Sequence, residues 1–477
     1  MRLARIILLV LTVAVNHCGA GAVELAGSRP NIVLVITDDQ GYGDLACHGN
    51  PLIRTPNLDR LHREGVRLAD FHVSPTCSPT RAALMTGRHE FKSGVTHTIL
   101  ERERLNRDAT TLAEALKSAG YATGIFGKWH LGDEAAYQPD RRGFDEVYIH
   151  GGGGIGQTYP GSCGDAPNNK YFGPALLHNG KFEKTEGYCT DLFFAQARRW
   201  IGQKSRRSTP YFAYICPNAP HAPLVSPGAQ YDKFYKGTSI NGRALDEGSV
   251  AYYSMITNID DNVGQLLSML RELGEEQDTL IVFMTDNGGT HTHLFSAGMR
   301  GRKGSPYQGG TRAPCFWRWP GKLAAGVDVR QLTAHVDVLP TFAALAGVEL
   351  PESLPIDGRN LSPLLLNSEA PWSDRYLFVH VGRWSKGEAE NAKYANCAVR
   401  NGRFRLVNNQ ELYDLESDPG ELTNAIDQHP QVVADMRQAY DVWWSEVRPG
   451  MVNEDADGPL INPFKALYWR QFGGGPN

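Results

Sequence analysis

Four strand-length apolar runs, each ending directly in residues that carry chemistry, constrain this chain more than any other feature. Residues 31–36 lead past Thr37 into Asp38 and Asp39; 122–126 lead into Lys128, Trp129 and His130; 211–215 stop shortly before His221; 279–284 lead into Asp286 and Asn287. Short runs this rich in Ile, Val, Leu and aromatic residues read as strands buried on both faces, the pattern of a parallel sheet. Helical patterns lie between them. Residues 111–118 are closed by Gly120, and over 250–273 Met255, Ile256, Ile259, Val263, Leu266, Leu267 and Leu270 recur at helical spacing before Gly274. The alternation predicts an α/β fold, with a large, mostly parallel sheet flanked by helices on both faces. Open parallel sheets bind ligands outside the carboxyl ends of their strands, so the four polar ends predict one shared site.

The chain has 477 residues, 41% hydrophobic and 21% charged, and a formal net charge of -4. That is enough for one large domain and a smaller one, without the basic field of a nucleic-acid binder. An anionic substrate must therefore be gripped by local charges. Arg2 and Arg5 precede an apolar run over 6–15, and Ala20-Gly21-Ala22 offers a small-residue cleavage site, so residues 1–22 read as an export signal. That run is too short to span a bilayer and no later one approaches the length. The expectation is an exported protein, periplasmic or secreted (lysosomal or extracellular in a eukaryotic host), with no membrane span after signal removal. The polar, proline-containing stretch 367–373 divides a catalytic α/β domain over 29–370 from a smaller C-terminal α+β subdomain over 374–477. In the subdomain, 376–381, 398–399 and 404–407 predict short antiparallel strands and 431–447 a closing amphipathic helix. The Gly/Pro/Asn-rich tail after Pro449 predicts a surface segment. Glycines 151–154 and 156 are followed by no helix, so they fail as a phosphate cradle and read as a flexible loop on the substrate side.

Asp38, Asp39, Asp286 and Asn287 offer hard oxygen ligands, suited to Ca²⁺ or Mg²⁺ and not to a soft transition metal. Adjacent acids at a loop start are ordinarily solvated or helix-capping; two such sets at separate strand ends favour a metal. Eight cysteines are present, at 18, 47, 77, 163, 189, 216, 315 and 397. In an exported protein most cysteines pair, and Cys163 with Cys189 is the favoured pair because both lie in one Gly-rich insertion. No C-x-x-C spacing suggests zinc. Cys77 stands apart, within Thr76-Cys77-Ser78-Pro79-Thr80-Arg81-Ala82-Ala83-Leu84-Met85-Thr86-Gly87-Arg88.

Cys77-Ser78-Pro79-Thr80-Arg81 matches the C-x-P-x-R core of type I, formylglycine-dependent sulfatases of the alkaline phosphatase superfamily. Its company makes the chain resemble an arylsulfatase-like member over 30–424. The blocks are 31–44, ending Asp38-Asp39-Gln40-Gly41-Tyr42-Gly43-Asp44; Gly127-Lys128-Trp129-His130-Leu131-Gly132; Pro220-His221-Ala222-Pro223; Thr285-Asp286-Asn287-Gly288-Gly289; and Arg302-Lys303-Gly304 with Gly309-Gly310-Thr311-Arg312. Tyr413-Asp414-Leu415 with Asp418-Pro419 and Glu421 resembles the mark of the family's small C-terminal subdomain.

The resemblance implies that a formylglycine-generating maturation enzyme oxidises Cys77, and that the aldehyde hydrate is both nucleophile and metal ligand. Asp38, Asp39, Asp286 and Asn287 complete the shell of a Ca²⁺ ion, with Mg²⁺ the alternative. Arg81 holds the hydrate and the acids, Lys128 and Lys303 bind sulfate oxygens, His130 takes the hydrate's second proton and His221 protonates the leaving oxygen. The implied reaction is two-step covalent hydrolysis of a sulfate ester with S–O fission. Its substrate is a sulfated small molecule or, favoured by export and the insertion over 150–170, a carbohydrate. Two departures stand out: Thr80 where serine is common, and Gln308 where glutamate is frequent. His97, His291 and His293 are unassigned candidates for substrate contacts. Two other readings share these residues: a phosphodiester or phosphonate monoester hydrolase, and a catalytically silent glycan-binding protein with unmodified Cys77.

Overall fold

The computed structural model describes residues 25–475 apart from 208, 292, 352 and 353; the expected export signal lies outside the described residues. Ten strands make one sheet: β1 (Asn31–Thr37), β2 (Val66–Leu68), β3 (Ala122–Lys128), β4 (Glu146–His150), β5 (Ala175–His178), β6 (Lys181–Lys184), β7 (Tyr211–Cys216), β8 (Thr279–Thr285), β9 (Cys315–Arg318) and β10 (Val327–Val329). Their order across the sheet is β10-β2-β9-β8-β1-β7-β3-β4-β5-β6. The central strands β8, β1, β7, β3 and β4 are parallel, and antiparallel β9 and β5 flank them. The expected strands are all present, each longer by one or two residues at its carboxyl end. Lys128 is thereby the last residue of β3, in register with His150 of β4.

Side-chain alternation along β1 sorts the core into two layers. The helices are α1 (Pro56–Glu64), α2 (Cys77–Thr86), α3 (Leu112–Ser118), α4 (Cys189–Ser205), α5 (Glu247–Glu272) and α6 (Val338–Ala346). Ile32, Leu34 and Ile36 pack with α2, α3 and α6, whereas Val33 and Val35 pack with α1, α4 and α5. Local chemistry sets the helix starts. Thr111 and Glu114 form a capping box on α3, and the Asp246 carboxylate accepts the Ser249 N–H at the start of α5.

A four-stranded antiparallel sheet follows: β11 (Leu377–His380), β12 (Cys397–Arg400), β13 (Phe404–Val407) and β14 (Glu411–Asp414). Helix α7 (Pro430–Val447) covers one face with Met436, Tyr440, Trp443 and Trp444, and the other face meets Tyr307 of the main body. A fully buried ion pair of the C-terminal part anchors it to the main body: Arg405 Nε lies 3.0 Å from Glu421 Oε1. The other Glu421 oxygen accepts the Gln308 backbone N–H at 2.8 Å, and Arg405 donates to the Pro306 carbonyl at 2.6 Å. The Gln308 side-chain amide donates to the Pro419 carbonyl at 3.4 Å and accepts from Arg400 Nη1 at 3.5 Å.

The tail departs from the surface segment expected of its composition. Residues Pro463–Phe472 form α8, capped by Asn462, and Phe464 is 1% exposed against the α2 layer of the core. Gln471 extends the sheet edge with its amide, accepting the Phe182 N–H at 2.8 Å and donating to the Phe182 carbonyl at 2.7 Å. That pairing covers Phe182 on β6, the edge strand of the sheet. The favoured Cys163–Cys189 pair is not formed, and all seven described cysteines are free thiols. Cys163 faces His130, whereas Cys189 opens α4 and donates to Asn218 Oδ1. Phe464→Ala should lower unfolding free energy by about 3–5 kcal/mol in urea denaturation, whereas a tail lying loosely on the surface would show almost no change.

Candidate active site

Strand geometry brings the four polar ends together. Asp38 and Asp39 follow β1, Lys128 ends β3, and Asp286 and Asn287 follow β8, which lies beside β1 in register. Cys77 is the first residue of α2 and only 2% exposed, so the positive end of a ten-residue helix faces the same place. Arg81, one turn later and fully buried, donates from Nη2 to Asp286 Oδ2 at 2.8 Å and from Nη1 to the Lys128 carbonyl at 3.0 Å. It ties α2, β3 and β8 to one point. Lys128 Nζ is 2.7 Å from Asp38 Oδ2, and Lys303 Nζ is 2.5 Å from Asp39 Oδ1. Asn287 Nδ2 donates to that same Asp39 oxygen at 2.9 Å.

Two acceptor atoms are left over. Asp38 Oδ1 and Asn287 Oδ1 are buried without a hydrogen-bond partner, and ligand atoms of Asp38, Cys77 and Asp286 lie within 4.8 Å of one another. Buried acceptors ordinarily find donors. A set of orphaned hard oxygens fits a Ca²⁺ or Mg²⁺ ion, which takes oxygen ligands of this kind. The charges agree. Burial pushes Asp38 up to about 6 even with Lys128 beside it, and Asp286 to about 6 with Asp38 adding to the effect. Burial would raise Asp39 too, but Lys303 and His221 hold it well below the usual carboxylate range. Burial alone would raise the Cys77 thiol; Lys128 and Lys303 bring it below its ordinary value.

Asp39 and His130 adopt left-handed backbone, φ 69° and 59°, a conformation non-glycine residues hold only where neighbours enforce it. The Tyr252 hydroxyl supports Asp39 by donating to its carbonyl at 2.8 Å. His130 Nε2 lies 2.8 Å from the Thr98 carbonyl and must carry the proton, which leaves Nδ1 a bare acceptor, buried and unpartnered. His221 gives its Nδ1–H to the Ala222 carbonyl at 2.7 Å, and its Nε2 is 3.8 Å from Asp39 Oδ2.

The profile described as Sulfatase matches residues 30–348. The chain belongs to the sulfatase family. A second profile, N-sulphoglucosamine sulphohydrolase, C-terminal, matches 303–441. The chain is 33% identical over 453 residues to human arylsulfatase A, covering 85% of each. It is 34% identical over 407 residues to rat N-acetylgalactosamine-6-sulfatase, covering 80% of this chain and 72% of that one. The crystal structure of Ps i-CgsB in complex with k-i-k-neocarrahexaose has a TM-score of 0.79 at 29% identity, covering 93% of this chain and 97% of that one. This sulfatase is thus an arylsulfatase-like sulfuric ester hydrolase of the alkaline phosphatase superfamily, and its sheet arrangement is the sulfatase fold.

Every residue singled out for the sulfatase site falls in one cluster: Cys77, Arg81, Lys128, His130, His221, Lys303, Asp38, Asp39, Asp286 and Asn287. Sequence reasoning missed the backing of His130. Glu103 Oε2 is 3.6 Å from His130 Nε2 and Cys163 Sγ is 3.9 Å from it, both fully buried. Burial pushes the Glu103 carboxyl well up, with Asp133 and Glu134 adding to the effect. No motif marks Glu103 or Thr98; only the fold brings them in. Of the unassigned histidines, His97 accepts the Thr98 N–H at 2.8 Å, His291 packs edge-on against Tyr252 at 4.6 Å, and His293 Nε2 is 2.9 Å from the Ser249 hydroxyl.

The glycine loop expected to be flexible is clamped. Asp133 accepts the N–H groups of Gly152 (3.1 Å) and Gly164 (2.6 Å), and Asp165 those of Gly151 (3.1 Å) and Gly156 (2.8 Å). Asn462 of the tail donates to the Ser162 carbonyl at 2.9 Å. The clamp presses bare backbone onto both histidines: a Cβ at Gly153 would lie 2.9 Å from His130 Cε1, and one at Gly154 3.0 Å from His221 Nδ1. Gly153→Ala should therefore lower sulfate ester turnover by on the order of 10²-fold, the scale of a misplaced reacting group, in a variant that still folds but melts at a lower temperature, because the added carbon must displace packed atoms. Wild-type turnover in a folded variant would contradict this packing.

Proposed function

We propose that this sulfatase hydrolyses a sulfate ester on a carbohydrate, with residue 77 as nucleophile after oxidation of Cys77 to formylglycine. The observation that carries the reading is the N-terminus of α2, where Cys77 meets Lys128, Lys303 and a group of orphaned hard oxygens. Formylglycine, as its hydrate, supplies the oxygen nucleophile, and a divalent cation held by Asp38, Asp39, Asp286, Asn287 and residue 77 supplies charge neutralisation at sulfate oxygens. Ca²⁺ is the preferred ion, with Mg²⁺ the alternative. The sugar preference draws on relatives: N-acetylgalactosamine-6-sulfatase is named for a sugar sulfate, and Ps i-CgsB was crystallised with a neocarrahexaose.

The remaining roles belong to this chain's own groups. Arg81 fixes Asp286 and the Lys128 backbone, so the acids keep their places as a substrate enters. Lys128 and Lys303 each carry three N–H donors and retain some for sulfate oxygens after pairing with Asp38 and Asp39. His130, with Nε2–H committed to Thr98, takes a proton at residue 77 through Nδ1. His221, with Nδ1–H committed to Ala222, uses Nε2 to hand a proton to the leaving oxygen.

Export directed by residues 1–22 belongs to the same reading, as does a formylglycine-generating maturation enzyme. Every residue of α2 is buried, so that enzyme must reach the motif before the helix docks. Among the described residues, no helix is long and apolar enough to cross a membrane.

Purified protein should turn over an aryl sulfate far faster than an aryl phosphodiester, and a chelator should abolish both rates until Ca²⁺ or Mg²⁺ is returned. Faster phosphodiester cleavage would transfer the site to the phosphodiester and phosphonate reading. His221→Ala should slow sulfate esters with poor leaving groups by roughly 10²–10⁴-fold, the usual worth of a general acid, while good leaving groups lose far less. Equal losses on both would remove His221 from that role.

A further inference from the structure

A second group of ligand-type side chains shares no residue with the catalytic cluster. We propose that Cys47, His48 and His62 form a site for a borderline divalent transition metal of the Zn²⁺ type, with three protein ligands and one open position. Cys47 and His48 lie on the short 3-10 turn Ala46–His48, and His62 on the last turn of α1. A ligand atom from each lies within 4.8 Å of the other two. Thiolate and imidazole are donors that Zn²⁺ and its borderline neighbours take and that a hard cation avoids.

The rings are already held. His48 Nδ1 is 2.8 Å from the Tyr42 carbonyl and must donate to it, which leaves Nε2 unprotonated, the second-shell arrangement that orients metal-binding histidines. The His48 ring stacks on Tyr42 at 3.9 Å, and both histidine rings meet Phe316 edge-on, at 5.6 and 5.2 Å. Burial lowers both imidazoles, His48 to about 4, and His62 with Arg67 adding to the effect. Arg67 lies 3.5 Å from His62 Nδ1, but its charge is answered by Asp328 at 2.5 Å. Access separates Cys47 from its fellows. Among the described cysteines it alone is not buried.

Asp59 lies beside the thiol, accepting the Cys47 backbone N–H at 2.9 Å, and together with burial it pushes the thiol up. Coordination must therefore displace the thiol proton, which passes to solvent as the sulfur becomes a thiolate ligand. Spacing could not reveal this site, because the two halves are separated in sequence and meet only when α1 folds back along the turn.

The test uses the mature, Ca²⁺-loaded full chain titrated with Zn²⁺ by calorimetry in two buffers of different ionisation enthalpy, and with Co²⁺ by absorption. The expected result is one Zn²⁺ bound with release of a proton, and a thiolate-to-Co²⁺ charge-transfer band. Cys47→Ser should lose the band and the proton release. His62→Ala should weaken Zn²⁺ binding by more than the 10–100-fold that loss of a supporting group costs. Aryl sulfate turnover of the Ca²⁺-loaded protein, measured without added Zn²⁺ or Co²⁺, should be unchanged in both variants, which certifies their folding. Should His62→Ala fail that check, His62→Gln takes its place. Equal Zn²⁺ affinity in wild type and folded variants, or no thiolate band in the wild type, overturns the proposal.

Discussion

Three carboxylates and three cations are buried against one another where β1, β3 and β8 end, and the rest of the molecule is arranged to keep them there. Asp38 meets Lys128, Asp39 meets Lys303 and Asp286 meets Arg81, with Asp38, Asp286, Lys128 and Arg81 fully buried. Taking so many charges out of water is costly, and close pairing offsets the cost without turning it into a gain in stability. Such a network is kept for what it does. Its unspent acceptors, Asp38 Oδ1 and Asn287 Oδ1, and its unspent lysine donors make a place where a hard cation and an oxyanion balance each other.

Elements distant in sequence hold that network in position. Glu421 reaches from the C-terminal part to the Gln308 backbone and pairs with Arg405, fixing the segment that follows Lys303. The tail acts from the other side. Asn462 and Phe464 press on the glycine loop, and Asp133 and Asp165 hold that loop by its backbone N–H groups, so both histidines meet a fixed wall. The C-terminal sheet and tail thus act on the site's geometry without placing any of its charged groups.

Much of this was legible in the sequence, because buried parallel strands announce themselves as apolar runs and their polar ends announce the site. Asp38, Lys128 and Asp286 were found in this way, and the motif resemblance added Cys77 and Lys303. What stayed hidden depends on contacts between segments that no local pattern links. Thr98 and Glu103 come to His130 from the loop and short 3-10 turn between α2 and α3, and α8 is masked by its glycine- and asparagine-rich flanks although Phe464 anchors it. Strand β14, four residues long, is too short to stand out from its turns. The Cys163–Cys189 expectation failed because nearness in sequence says nothing about where two thiols point: one faces His130, the other Asn218.

The central claim is that an oxidised side chain at position 77 performs the chemistry this charge network is built to support. It is tested most directly by mass spectrometry of the peptide spanning residues 77–81, carried out on preparations that differ in specific activity. The account requires the aldehyde fraction at residue 77 to rise in proportion to sulfate ester turnover and to extrapolate through the origin. A fully active preparation in which that peptide retains its cysteine thiol would contradict it.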